Sequence, residues 1–116
     1  MVKNCSETQY IEKPHGGVGA IEITRVLSSE DTLGHVSLLA KVTVHPNSTI
    51  GYHQHIGEAE AYYLLKGKGY FINAKEERVP VQSGDVCTIE VGQSHGLENP
   101  YDESIEMIAL VYPEKN

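Results

Sequence analysis

Basic residues are scarce in this chain: nine lysines and arginines stand against 16 aspartates and glutamates, for a formal charge of -7. That balance argues against a nucleic acid or an anionic membrane as the main partner and favours a small or neutral ligand. Cysteine is scarce too. Cys5 and Cys87 lie far apart and in no CxxC or disulfide-scaffold pattern, which fits a reduced cytoplasmic chain and makes neither a strong candidate nucleophile. Long apolar runs are missing: the longest, "MIALVY" at 107–112, is far short of the roughly 18 residues a membrane span needs. The N-terminal "MVKNCSETQYIEKP" has no apolar h-region of a signal peptide. At 116 residues the expectation is a soluble, cytoplasmic protein with a single domain over 1–116.

Helical periodicity is absent as well, since no window of eleven or more residues repeats its apolar positions every 3.6 residues. What the chain does carry is alternation. Val36, Leu38, Ala40, Val42 and Val44 alternate with Ser37, Leu39, Lys41 and Thr43, a strand with one apolar exception on its outer side. It stops at "HPNSTIG", where Pro46, Asn47, Ser48 and Gly51 are turn formers. Further strand-like runs lie at 19–27, 59–65, 69–74, 78–82, 86–91 and 105–112. Turn signals separate them: "KGKG", "AKEE", "SGD", "VGQSHG" and "NPYDE". Many short strands at this spacing predict an all-β antiparallel sandwich or barrel. The first fifteen residues are expected to be loose or to pack on a neighbouring subunit.

The chemistry concentrates in "GYHQHIGEAEAYY" at 51–63. His53 and His55 on one strand point the same way, with Gln54 opposed, and can reach one metal ion together. Glu58 and Glu60 have the other parity, but Gly57 lets the chain turn and re-enter the sheet as a neighbouring strand. A glutamate can then return over the histidine pair, and parity does not choose between the two. His95 sits between Gly92 and Gly96, whose freedom allows the backbone to bend and present the imidazole inward. Three imidazoles and a carboxylate suit one divalent transition metal ion: manganese, iron, nickel, zinc, cobalt or copper. In an octahedral arrangement two positions stay open to substrate. His35 and His45, at the ends of one strand, read as solvated turn residues, and His15 in "KPHGGVG" reads as structural. The glycines beside His15 do not make a phosphate loop, because no helix follows them.

At these residues the sequence resembles the cupin superfamily. The first cupin motif is met by His53, His55, Glu60 and Gly67, and the second by Gly84, Gly92, His95 and Asn99. Asn47 stands where the first motif opens with glycine, and Glu90 where the second has proline. The resemblance implies a double-stranded β-helix, or jelly roll, with the barrel core at about 35–112 and an N-terminal arm at about 1–18. It also chooses the carboxylate, giving the ligand set His53, His55, Glu60 and His95, with Glu58 left as a turn residue. Small single-domain cupins are commonly dimers, so a homodimer is expected. The segment "IEKPHGGVGAIEITRVL" resembles the N-terminal region of small oxalate decarboxylase-like cupins.

Fold and ligand set together leave two functions open. One is a metal-dependent decarboxylase or dioxygenase acting on a small carboxylate or oxo substrate. The other is a non-catalytic cupin that binds or senses a small metabolite. For an anionic substrate, Arg25 near the end of an early strand is the candidate carboxylate partner, whereas Arg78, in a polar turn, is expected to face solvent. Tyr62 shares parity with Glu60 and is expected to face the cavity, as a hydrogen-bond donor or as packing.

Overall fold

The computed structural model describes residues 1–114. Strands β1 (Gln9–Glu12), β2 (Ala20–Ser28), β3 (Leu38–Val44), β10 (Ile105–Pro113), β5 (Glu58–Lys66) and β8 (Val86–Ile89) form one sheet in that spatial order. Strands β4 (Ser48–Gln54), β9 (Ser94–Asn99), β6 (Lys68–Ile72) and β7 (Arg78–Gln82) form a second. Every pairing is antiparallel. From β3 onward the chain passes back and forth between the sheets, which is the double-stranded β-helix that the resemblance to cupins implies. The two sheets pack face to face as a sandwich and do not merge into one closed barrel. Helical structure among the described residues is confined to two 3-10 turns, Pro14–Gly16 and Glu30–Thr32. Among the described residues no helix is long and apolar enough to cross a membrane.

Alternation decides what enters the core. In β3 the inward set Ala40, Val42 and Val44 is buried, and Leu39 on the outer face lies opposite Leu110 of β10. In β10 Ile105, Met107, Ala109 and Val111 are buried, while the residues between them are partly covered. Leu64, Leu97, Ile105 and Met107 fill the centre; each such side chain contributes about 2 kcal/mol on removal from water. β7 carries Pro80, tolerated because this strand is the edge of its sheet and owes no hydrogen bond on its outer side. The N-terminal segment adds β1 to the edge of the larger sheet, in register with β2 from Gln9↔Ile23 to Glu12↔Ala20.

β4 and β9 lie where the sequence suggests turns. Both contain a glycine at a close approach: a Cβ on Gly96 would press on Ile50 O at 3.0 Å and on the backbone of Tyr52. β4 also carries a bulge. Ile50 faces Leu97, but the next pair is His53 with His95, so β4 has one residue more than its partner between these points. The bulge reverses parity, and Ile50 and His53, three residues apart, both face inward.

The two departures from the cupin motifs are explained locally. Asn47 adopts φ 55°, the left-handed conformation that asparagine tolerates best after glycine. Its side chain donates to Asp102 Oδ1 at 3.2 Å. Glu90 stands in a turn closed by Gln93, whose amide oxygen accepts from Glu90 N at 2.9 Å.

Asn99, 1% exposed, ties three segments together. Its amide nitrogen donates to the carbonyls of Val44, His45 and Glu103, and its Oδ1 accepts from Tyr101 N at 3.2 Å. A carboxylate there would turn an acceptor towards three carbonyls. Asn99→Asp should therefore cost about 3 kcal/mol of stability at neutral pH, read by urea unfolding. An unchanged midpoint would mean that the amide network does not hold this corner.

Candidate metal centre

The bulge in β4 and the register of β9 bring the rings of His53 and His95 against each other, with centroids 4.8 Å apart. His55 follows the last residue of β4. Its N–H donates to Gln93 O at 3.0 Å and its carbonyl accepts from Gly92 N at 2.8 Å, so the imidazole stays aligned with the strand. Gly57, at φ 74°, turns the chain into β5 of the other sheet. There Glu60, an inward residue, meets the histidines from the opposite side.

Four ligand atoms converge. His53 Nε2 lies 3.0 Å from His55 Nε2, which lies 3.1 Å from His95 Nε2. Glu60 Oε1 lies 3.0 Å from His55 Nε2 and 2.9 Å from His95 Nε2. One ligand atom from each residue falls within 4.8 Å of all the others. Nonetheless Glu60 Oε1 is buried and accepts no hydrogen bond. A buried carboxylate oxygen without a donor is costly unless a cation satisfies it.

The histidines are prepared as ligands rather than as acids. His53 Nδ1 donates to Gly51 O at 2.6 Å, which leaves the Nε2 lone pair of the neutral ring facing the cluster. Burial, followed by the neighbouring imidazoles, outweighs that hydrogen bond and holds His53 down at about 4. Burial also lowers His55, against the opposing pull of Glu60. Both rings are thus neutral at pH 7, the form that binds metal. His95 is 1% exposed and held on two sides, stacked on Tyr62 at 5.1 Å and edge-on to Phe71 at 5.6 Å. The four residues are positioned for metal binding, and their nitrogen and oxygen donors fit a single divalent transition ion.

A cavity of about 660 Å³ opens from this cluster between the sheets. His53, His55, Glu58, Glu60, Tyr62 and Arg25 are all in its wall. Tyr62 is buried, and its phenol is pushed well above its ordinary range by burial and by the Glu60 carboxylate, so it stays protonated. Glu58, expected in a turn, is the first residue of β5. Arg78 is tied up on the surface, paired with Glu98 at 2.7 Å and lying 3.6 Å over the Tyr70 ring. His45 pairs with Glu22 at 2.7 Å, away from the cluster.

One cavity residue was read from the sequence as merely structural. His15 lies in the 3-10 turn, at φ 51°, and its ring stacks on His53 at 3.6 Å and 7°. The turn sits so close to β4 that a Cβ on Gly51 would collide with His15 O, and one on Gly17 with Thr49 O. The signal was the glycine pair after His15, which lets the turn touch a strand rather than a phosphate.

A family model described as the cupin domain matches residues 40–111. The chain belongs to the cupin family. It is 36% identical over 113 residues to a Thermotoga maritima protein named "Oxalate-binding protein", covering 96% of this chain and 93% of that one. It is similar to a solved T. maritima structure described as a predicted oxalate decarboxylase, with 35% identity, TM-score 0.91, and 98% and 100% of the two chains covered. More distant cupins share the fold alone. A conserved barrel domain protein from Salinispora arenicola matches with TM-score 0.68 at 24% identity, over 79% of this chain and 75% of its own.

The contact of Gly51 with the 3-10 turn is open to a direct test. Gly51→Ala should push the turn off β4 and cost about 2 kcal/mol by urea unfolding. Unaltered stability would show that the turn is free to move away.

Proposed function

We propose that this cupin holds one divalent transition metal ion through His53, His55, Glu60 and His95, and that it is a metal-dependent enzyme for a carboxylate or oxo substrate, of decarboxylase or dioxygenase type. The observation that carries the reading is Glu60 Oε1, buried against two imidazole nitrogens with no hydrogen-bond donor. The ion, when bound, supplies a Lewis acid with positions open to an oxygen-rich ligand.

The chain's own groups support the rest. His53 is held in one tautomer by Gly51 O, and His95 is held in place by Tyr62 and Phe71. Tyr62 keeps its proton beside Glu60 and so offers an O–H at the cavity wall. Glu58 adds a carboxylate to that wall, able to accept or return a proton. Arg25 is the cation for an anionic substrate.

A second reading is a binding protein without turnover, favoured by the name of the T. maritima relative at 36% identity. Elemental analysis and turnover assays on oxalate, small diketones and keto sugars separate these readings. The parent should carry about one ion per chain, and the His53→Ala, His55→Ala double variant almost none, because half of the donor set is lost. Equal content in both would sink the centre. Release of carbon dioxide or consumption of dioxygen by the loaded parent supports the enzyme, and ligand binding with neither supports the binding protein.

A further inference from the structure

The cavity is much larger than the smallest acids that would chelate an ion at its histidines. Its volume is about 660 Å³. A two-carbon diacid has six heavy atoms and occupies on the order of 100 Å³, on the scale where a liquid water takes about 30 Å³. Much of the remaining wall is aliphatic, with Ile11, Ile21, Ile23, Leu38, Met107 and Val111 among its residues beside His15 and Ser37. A ligand that left this surface wet would forgo about 25 cal/mol for each Å² uncovered.

Charge is distributed along the cavity in a definite way. Arg25 belongs to a row that crosses the larger sheet, Arg25↔Ala40, Ala40↔Ala109 and Ala109↔Tyr62. Three strand spacings separate the ends of the row, about 14 Å between Cα atoms. The histidine and glutamate cluster stands at the Tyr62 end. Ile21 and Ile23 have the same strand parity as Arg25 and line the cavity with it, the two isoleucines buried and Arg25 exposed at the rim. The guanidinium donates from Nη1 to Gln9 Oε1 at 2.6 Å, a neutral partner, and among the described residues it forms no ion pair with a carboxylate. It keeps both its charge and further N–H groups for an incoming anion.

We propose that the ligand is an elongated acid: a 2-oxo or similar chelating carboxylate head at the four-residue centre, an aliphatic body against Ile21, Ile23 and Leu38, and a second carboxylate at Arg25. The proposal rests on the metal-centre reading and specifies the ligand that such a centre takes here. Oxalate is long enough for the head position alone. The body supplies apolar burial, and Arg25 supplies a charge-assisted bond at the far end.

The test is titration calorimetry on protein loaded with Mn(II), its metal content measured first, using oxalate, 2-oxohexanoate and 2-oxoadipate. 2-Oxoadipate should bind at least about tenfold more tightly than oxalate, with 2-oxohexanoate between them. Arg25→Gln should bring 2-oxoadipate down to the level of 2-oxohexanoate, and Arg25→Lys should keep part of the preference. Thermal unfolding of both variants identifies any loss that comes from misfolding, and Arg25→Lys then decides the role of the charge. Oxalate binding as tightly as 2-oxoadipate to fully loaded parent would overturn the elongated ligand and leave the metal centre standing. Equal weakening of both 2-oxo acids by Arg25→Gln would also overturn it. Parent that takes up no metal would overturn the centre itself, and this proposal with it.

Discussion

The extra residue in β4 is the constraint on which the site depends. With an unbroken register, Tyr52 and not His53 would face His95, and the histidine pair would point away from the core. The bulge shifts parity once, between Ile50 and His53, so the strand can bury Ser48 and Ile50 in its first half and present imidazoles in its second. Gly51 sits within that irregularity, where a side chain would strike the 3-10 turn. Its carbonyl also fixes the tautomer of His53. One local distortion therefore sets the direction, proton position and neighbour of the first ligand.

Electrostatics then show how an acidic protein could accept the anion proposed above. A set of three imidazoles and one carboxylate that binds metal would carry a single negative charge, so a divalent ion held there would leave one net positive charge in a half-enclosed cavity. Arg25 adds another on the same wall. Most of the 16 acidic side chains lie on a surface where solvent and salt screen them. Inside the cavity the local charges act through less water and dominate.

Much of this was legible in the residues. The alternation in β3 and the runs of β2, β5, β6, β8 and β10 mark strands because one face of each is buried and the other is not, whereas β7, at the sheet edge, is marked only by its β-type run. The HxH pair and His95 pointed to a common ion, and the structure brings them together with Glu60. β4 and β9 were harder to read because their turn-forming residues, Asn47, Ser48, Gly51 and Gly96, serve left-handed backbone and close strand approach instead of chain reversal. A bulge has no residue signature in a strand without an apolar repeat, so the register of His53 was not readable. Nor was His15, whose importance lies in a stack with a residue 38 positions away. Choosing Glu60 over Glu58 needed the resemblance to the first cupin motif, since both glutamates share a face of β5 and both reach the cavity wall.

The N-terminal segment separates this chain's chemistry from that of its fold. Residues 40–111 match the family model, and cupins at 24% identity or less share that sandwich. Ile11, Pro14, His15, Ile21, Ile23 and Arg25, all on the cavity wall, lie before the matched region. The four residues positioned for metal binding come from the shared part and much of the cavity wall from the part outside it. Such a division lets the cavity wall vary around one candidate centre, at Ile11, Ile21 and Ile23 more freely than at the 3-10 turn, whose backbone is packed on β4. The left-handed backbone of Lys13 and His15, about 1 kcal/mol of strain each, supports the same view. A segment that served only to cover the sheet edge would have no need of it, whereas one that must lay an imidazole flat on His53 does.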